Sequence, residues 1–232
     1  MTRGLTLTLA LVLMGCSAVQ APQPAAVAEP AVPALYDTQR RITEYIDSGR
    51  YDADFAQVVA EATAWLEERA PKAQRPAIVL DIDETSLSNW QAYRANEWAR
   101  ILGGGCDLAH GPCGIRKWQG MGRGVALVPT RTLVERAHAL GVAVFFVTGR
   151  PQNLRASTER NLREQGYTFD GVVLLPQGGP FASAVDFKAV ARKKLAEQGY
   201  TILLSMGDQQ SDLDGGYAER TFKLPNPVYF LP

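Results

Sequence analysis

The hydrophobic and polar positions of the chain fall into repeating blocks. Leu35 to Ser48 and Asp52 to Glu68 read as two helices around a break at Gly49. In the second, Phe55, Val58, Val59, Ala62 and Leu66 recur at helical spacing, and Asp52 is placed to cap it. Pro71 and Pro76 bound that helix. Ile78, Val79, Leu80 and Ile82 then form an apolar run, the pattern of a strand covered on both faces. From Pro129 the alternation becomes regular. A helix is predicted over Pro129 to Leu140, a strand over Val142 to Val147, and a helix from Pro151 to about Gln165, with proline at its first position. A strand over Gly171 to Leu175, a helix over Asp186 to Gln198 and a strand over Thr201 to Met206 follow. Last come a short strand over Arg220 to Leu224 and a tail, Asn226 to Pro232. Strands separated by helices predict an α/β fold: a doubly wound, Rossmann-like parallel sheet with helices on both faces. The two N-terminal helices read as an appendage covering one sheet face.

Between Ser86 and Leu127 this order breaks. The segment is rich in aromatics and glycine, with Trp90, Tyr93, Trp98, Trp118, Gly103 to Gly105, Gly120, Gly122 and Gly124. A helix over Asn89 to Ile101 is predicted, and loop for the rest. So long an insertion after a first strand is more often functional than filler, although tryptophans also pack small satellite cores. Cys106 and Cys113 close the stretch CDLAHGPC. In an exported protein they are candidates for a disulfide. The other reading is a zinc site, taking Cys106, His110, Cys113 and a fourth ligand. His138 falls inside a helix and reads as a surface or packed residue.

Charge excludes one class of partner. The 232 residues carry 24 basic and 24 acidic side chains, so no net field draws in a nucleic acid polymer. The length suits one α/β domain with a large core. The N-terminus adds an address. Arg3 precedes an apolar run, Leu5 to Met14, too short to span a membrane and suited to a signal peptide. It ends in Leu13-Met14-Gly15-Cys16, which resembles a bacterial lipoprotein signal, with residues 1–15 removed and Cys16 lipidated. An ordinary secretory signal cut further on is the alternative, and either implies export. Acyl chains contribute about 0.8 kcal/mol per buried CH₂, enough together for a durable membrane anchor. Ser17 after the cysteine resembles the residues that permit sorting to an outer membrane. Residues 16–34, rich in proline and alanine, read as a tether, leaving 35–232 as the folded domain with a cap insertion at about 86–127.

The chemistry lies where strands end. Asp81, Asp83 and Glu84 follow the first strand, Thr148-Gly149-Arg150 the second, and Gly207-Asp208-Gln209-Gln210-Ser211-Asp212 the fourth. Each alone could be a polar turn. Together they are more telling, because right-handed crossovers place all C-terminal strand ends along one edge, where ligands bind. Carboxylates gathered there repel one another unless a cation joins them, and hard Mg²⁺ takes oxygen ligands. Asp81 and Asp208 are predicted as direct ligands, with Asp212 direct or through water. Such a cation needs an anion to act on, and phosphate fits: Thr148 and the turn N–H groups of Gly149 and Arg150 would bind its free oxygens. Lys188, opening the helix after the third strand, is placed to neutralise charge in the transition state.

The motifs DIDET, a strand ending in TGR, FK, and GDQQSDL, with the terminal RTFKLPNPVY, resemble the haloacid dehalogenase superfamily. More narrowly they are similar to its secreted acid phosphatase branch, which holds bacterial class B and class C enzymes and the plant acid phosphatases and vegetative storage proteins. The resemblance spans about Tyr36 to Phe230. It implies that Asp81 is the nucleophile, forming an aspartyl-phosphate, and that Asp83 is general acid and base, ligating Mg²⁺ through its carbonyl. Thr148 and Lys188 would hold the phosphoryl group, and Asp208 and Asp212 would complete the metal site. Trp90, Trp98 and Trp118 of the cap would be candidates to stack on a substrate ring. A lipid anchor resembles the class C proteins, whereas GDQQSDL and the tail look closer to the plant members. The expected activity is Mg²⁺-dependent hydrolysis of small phosphate monoesters, nucleotides among them, at acidic pH. Phosphotransfer through the same intermediate and a ligand-binding lipoprotein without catalysis are the alternatives. Asp81 is present, unlike in storage proteins that have lost the nucleophile, which favours a working enzyme.

Overall fold

A computed structural model describes residues 32–178 and 183–231. The signal peptide, Cys16 and nearly all of the tether lie outside the described residues. Among the described residues no helix is long and apolar enough to cross a membrane.

Five strands form the central sheet: β1 (Pro76–Leu80), β4 (Ala143–Pro151), β5 (Gly171–Leu175), β6 (Thr201–Gly207) and β7 (Arg220–Lys223). They lie in the order β5-β4-β1-β6-β7, every pairing parallel. Side chains alternate across β1. Ile78 and Leu80 pack on one face, with Tyr51, Phe55, Val59, Ala62 and Leu66 of helix α2 (Arg50–Arg69) and with Leu133, Val134 and Ala137 of α5 (Val128–Ala139). Leu162 of α6 (Arg155–Glu164) joins the same core. Ala77 and Val79 face the other way, onto Phe187, Ala191 and Leu195 of α7 (Ala184–Glu197). With both faces covered, each strand can be apolar throughout. The chain leaves β1 first toward β4 and β5 and later toward β6 and β7, so the switch in direction falls at β1, where open α/β sheets bind ligands.

Several elements differ from expectation, each for a local reason. Gly49, at φ 78°, takes the left-handed turn between α1 (Leu35–Asp47) and α2, which starts at Arg50 without a cap from Asp52. Of the two N-terminal helices α2 gives most of the cover: Tyr45 and Ile46 of α1 meet the same core, while Ile42 and Ile46 also pack on the cap, where Thr43 Oγ1 accepts from Trp98 Nε1 at 2.8 Å. The second strand runs past Thr148 to Pro151, since a residue before proline stays extended, and α6 begins only at Arg155.

Residues 86–127 hold the ribbon β2 (Leu87–Ser88) with β3 (Val125–Ala126), and helices α3 (Trp90–Ala95) and α4 (Ile115–Met121). The helix expected over Asn89–Ile101 ends at Ala95, because Glu97 and Trp98 take left-handed φ of 51° and 68°. That turn swings the Trp98 ring inward. Cys106 and Cys113 are joined as a disulfide, which consumes the thiols a zinc site would have used. Beside it the chain pairs with itself: Ile115 N–H donates to Ile101 O at 2.7 Å, and Arg116 N–H to Leu102 O at 3.2 Å. At Gly114 a Cβ would lie 2.2 Å from Gly103 O, so only glycine permits this approach.

Candidate active site

Asp81 leaves the end of β1 beside β6, its N–H donating to Met206 O at 3.0 Å. The next turn is tight. Thr85, Ser86 and Leu87 N–H groups all return to Ile82 O, and Glu84 sits at φ 53°. β6 ends in Gly207, where a Cβ would lie 2.2 Å from Asp212 Oδ2. Glycine there lets the following turn, Gln210–Asp212, fold the second acid back against the strand.

Asp81, Asp208 and Asp212 are thereby brought together, buried, each with a carboxylate oxygen within 4.8 Å of the others. Lys188 of α7, itself buried, donates from Nζ to Asp81 Oδ1 at 2.9 Å and to Asp212 Oδ1. Burial pushes the Asp81 carboxyl well above the usual range, and the Asp212 charge adds to this against the pull of Lys188. Asp208 is raised to about 6 by burial and by Asp212. Burial lowers Lys188, but Asp212 and Asp81 outweigh it and the ammonium is retained. Asp208 is tightly oriented. Its Oδ2 accepts from Gln209 Nε2 at 2.5 Å and Asn226 Nδ2 at 2.6 Å, while Thr85 Oγ1 approaches Oδ1 at 3.4 Å. All-oxygen donors, hard and anionic, with one ammonium against three carboxylates, suit a hard divalent cation.

Asp83 points elsewhere. Arg150 grips it, Nη2 donating to Oδ1 at 2.7 Å and Nε to Oδ2 at 3.1 Å, with Asn89 Nδ2 at 2.8 Å and Gln119 Nε2 at 3.2 Å. Burial favours the neutral acid, yet the Arg150 charge and these donors win and hold the carboxyl below its ordinary value. Glu84 shows the opposite balance. Enclosed, with Asp83 and Asp208 nearby, it is pushed up to about 8. Its Oε1 accepts from Asn89 N–H at 2.7 Å, and Oε2 from the Tyr229 hydroxyl at 2.8 Å.

The cleft over these groups is lined by Asp81, Asp83, Gly149, Lys188 and Asp208 from the sheet edge and by Tyr93, Arg100, Arg116 and Gln119 from the cap. Tyr229 and Leu231 of the tail complete it. Among the sequence candidates, three groups do not line this cleft. Thr148 is buried beneath Gly149, its Oγ1 accepting from Arg150 N–H at 3.2 Å. Arg150, read from its position as a phosphate binder, spends its side chain on Asp83 and Thr158. Trp90, Trp98 and Trp118 do not line the cleft as ring-stacking residues. They pack the cap's own core with Tyr93 and Ile115, and Trp118 Nε1 donates to Asn89 Oδ1 at 2.8 Å. Their large apolar area is satisfied by burial, which leaves no face for a substrate. Sequence reasoning missed Thr85, Gln209, Asn226 and Tyr229, although the first two lie inside DIDET and GDQQSDL and the others inside PNPVY. Arg100 and Arg116 have no motif to announce them.

Comparison with known proteins agrees with this geometry. The family model described as HAD superfamily, subfamily IIIB (Acid phosphatase) matches residues 1–232. The chain is 36% identical over 194 residues to the stem 28 kDa glycoprotein of Glycine max, an alignment covering 81% of this chain and 72% of that one. It is 31% identical over 159 residues to acid phosphatase 1 of Solanum lycopersicum, covering 68% of this chain and 60% of that one. Among solved structures, the class C acid phosphatase from Bacillus anthracis superposes with a TM-score of 0.67 at 23% identity. It covers 84% of this chain and 86% of the other, and shares the fold. The fold, the acidic strand ends and the match along the whole chain make this protein a phosphoric monoester hydrolase of the acid phosphatase subfamily, IIIB, of the haloacid dehalogenase superfamily.

Proposed function

We propose that the enzyme hydrolyses small phosphate monoesters through a phosphorylated Asp81, with Mg²⁺ held by Asp81, Asp208 and Asp212 and by the Asp83 carbonyl. The observation that carries this reading is the buried triad of carboxylates, two of which, Asp81 and Asp212, Lys188 bridges. When bound, the cation would offset the crowded negative charge and polarise a phosphoryl oxygen. The protein groups do the rest. An Asp81 carboxylate oxygen attacks phosphorus, the ester oxygen departs with the electron pair of the broken P–O bond, and Asp83 gives that oxygen its proton. Asp83 then takes a proton from water as the water attacks phosphorus, freeing phosphate and restoring Asp81. Lys188 neutralises charge on the transferring group, and the Gly149 backbone approaches it where no side chain intrudes. The grip of Arg150 keeps Asp83 ionised at rest, the form that takes a proton from water, so proton delivery to the leaving oxygen calls for acidic pH. Nucleotides are one class of small ester consistent with the reading.

Hydrolysis of phenyl phosphate by the purified chain, with Mg²⁺ or with EDTA across pH, tests it. Turnover that depends on the metal, is greatest below neutrality and is abolished in Asp81→Asn is expected. Equal turnover in EDTA, or an active Asp81→Asn protein, would overturn it. Export and a lipid at Cys16 belong to the same reading, supported by the N-terminal pattern and by a disulfide, which persists in oxidising compartments. Labelled palmitate should enter the wild-type chain and not Cys16→Ser.

A further inference from the structure

Arg100 and Arg116 face the cleft from the cap, and the folding of the cap brings them together. Arg116 begins α4, and the backbone pairing of 101–102 with 115–116, closed by Cys106–Cys113, sets it beside the stretch that follows Arg100. The guanidinium of Arg100 lies 5.3 Å from the centre of the Tyr229 ring, and its Nε is buried without a hydrogen-bond partner. Arg116 has one long contact, Nη1 to Gln119 Oε1 at 3.5 Å. Among the described residues neither forms an ion pair, whereas Arg69, Arg94, Arg136 and Arg155 each pair with a carboxylate. Burial and the nearness of Arg100 lower the proton affinity of Arg116 and outweigh the opposing pull of Asp83. Two half-buried cations held side by side with a donor unspent are costly unless an anion sits between them. The transferring phosphoryl group would already have Lys188 and the strand ends that line the same cleft.

Resting on the reading of Asp81 and Lys188 as the reaction centre, we infer that Arg100 and Arg116 form a second anion subsite, for a carboxylate or second phosphate on the leaving group. The preferred substrates are then phosphomonoesters of small anionic alcohols or phenols, and neutral leaving groups are poor ones. Arginine presents a planar fork of donors that matches carboxylate and phosphate alike.

The test compares kcat/KM for phenyl phosphate, 4-carboxyphenyl phosphate and 1,4-phenylene bisphosphate in the wild type, Arg100→Gln, Arg116→Gln and Arg116→Lys. The quantity read is the ratio of each anionic ester to phenyl phosphate. It should exceed unity by about tenfold or more in the wild type, fall toward one in the glutamine variants and be partly kept by lysine. The carboxylate and bisphosphate arms show which anion is preferred. A ratio unchanged by either glutamine variant would overturn the inference, as would equal loss on all three esters, which would assign the arginines to the transferring group. A second measurement does not need turnover: calorimetric affinity for benzylphosphonate and 4-carboxybenzylphosphonate. The carboxyl group should strengthen binding to the wild type and not to the glutamine variants; equal affinities in the wild type would sink the inference. If no ester is hydrolysed while the carboxyl still strengthens binding, the phosphatase reading fails and the subsite stands.

Discussion

The floor of the cleft and its roof are held by different means. On the floor, Asp81, Asp208, Asp212 and Lys188 sit at the ends of buried strands or inside a helix, and their carboxylate oxygens are pinned by side-chain or backbone donors. The roof is built from two short helices and a two-residue ribbon among loops. Arg100, Arg116 and Gln119 are placed by a satellite core of aromatics, a disulfide and a few backbone bonds between loops. A group that meets the reacting atoms tolerates little displacement, since misplacement by about 1 Å can cost on the order of 100-fold. A group that recognises the rest of the substrate can ride on a looser frame. The contrast teaches that the acidic groups are fixed by the sheet and its turns and the arginines by the cap's own small core.

The sharpest way to break this contrast is on the floor. Lys188→Ala leaves Asp81 and Asp212 buried without their shared ammonium. Turnover should fall by about 10³-fold, with stability lost as well, since stripping a buried charge of its partner costs roughly 3–5 kcal/mol. Steady-state rates and urea unfolding measure both, and a mild effect on each would show that the floor is not an electrostatic unit. Next is Asn226→Ala, which removes one of two amide donors from Asp208 Oδ2. Affinity for Mg²⁺ should drop about 10- to 100-fold while activity returns at high metal. A metal titration of activity decides this. On the roof, replacing Cys106 and Cys113 by serine should destabilise the protein by about 2 kcal/mol, as expected for a short closed loop. It should also reduce the preference for anionic esters more than hydrolysis of phenyl phosphate; equal losses would mean that floor and roof are one mechanical unit. The smallest effect concerns pH. Between about 4.5 and 8 the folded chain keeps a proton on Glu84 that the unfolded chain releases. Stability from this group is therefore full at low pH and declines as pH rises through that window. In EDTA, Tm should be lower at pH 8 than at pH 5, and Glu84→Gln should flatten the difference.

The same contrast explains what could be read from the chain alone. The floor was legible because Asp81 and Asp208 directly follow apolar runs, and parallel strands must end along one edge. Those two needed no knowledge of loop paths, whereas Asp212 is brought in by the turn of GDQQSDL. The roof required it. Nothing in the pattern around Trp98 announces left-handed turns at Glu97 and Trp98, yet those turns send the ring into the cap core and Arg100 toward the cleft. The three tryptophans stayed open between substrate stacking and a satellite core for the same reason, since an aromatic residue in an insertion carries no mark of which side it faces. Arg150 was read for its turn N–H, and the use of its side chain was not foreseen, because the partner that captures it, Asp83, lies 67 positions earlier.

Tyr229 closes the cleft from 145 positions beyond Glu84, and Asn226 steadies Asp208 from the same tail. A chain made from its N-terminus thus displays Asp81 long before the groups that steady Asp208 and Glu84 exist. The cleft is complete only when the last stretch has emerged and folded back across the sheet edge. Cutting after Lys223 would leave all five strands in the chain and take away these contacts, so the tail acts as a seal of completion on the cleft.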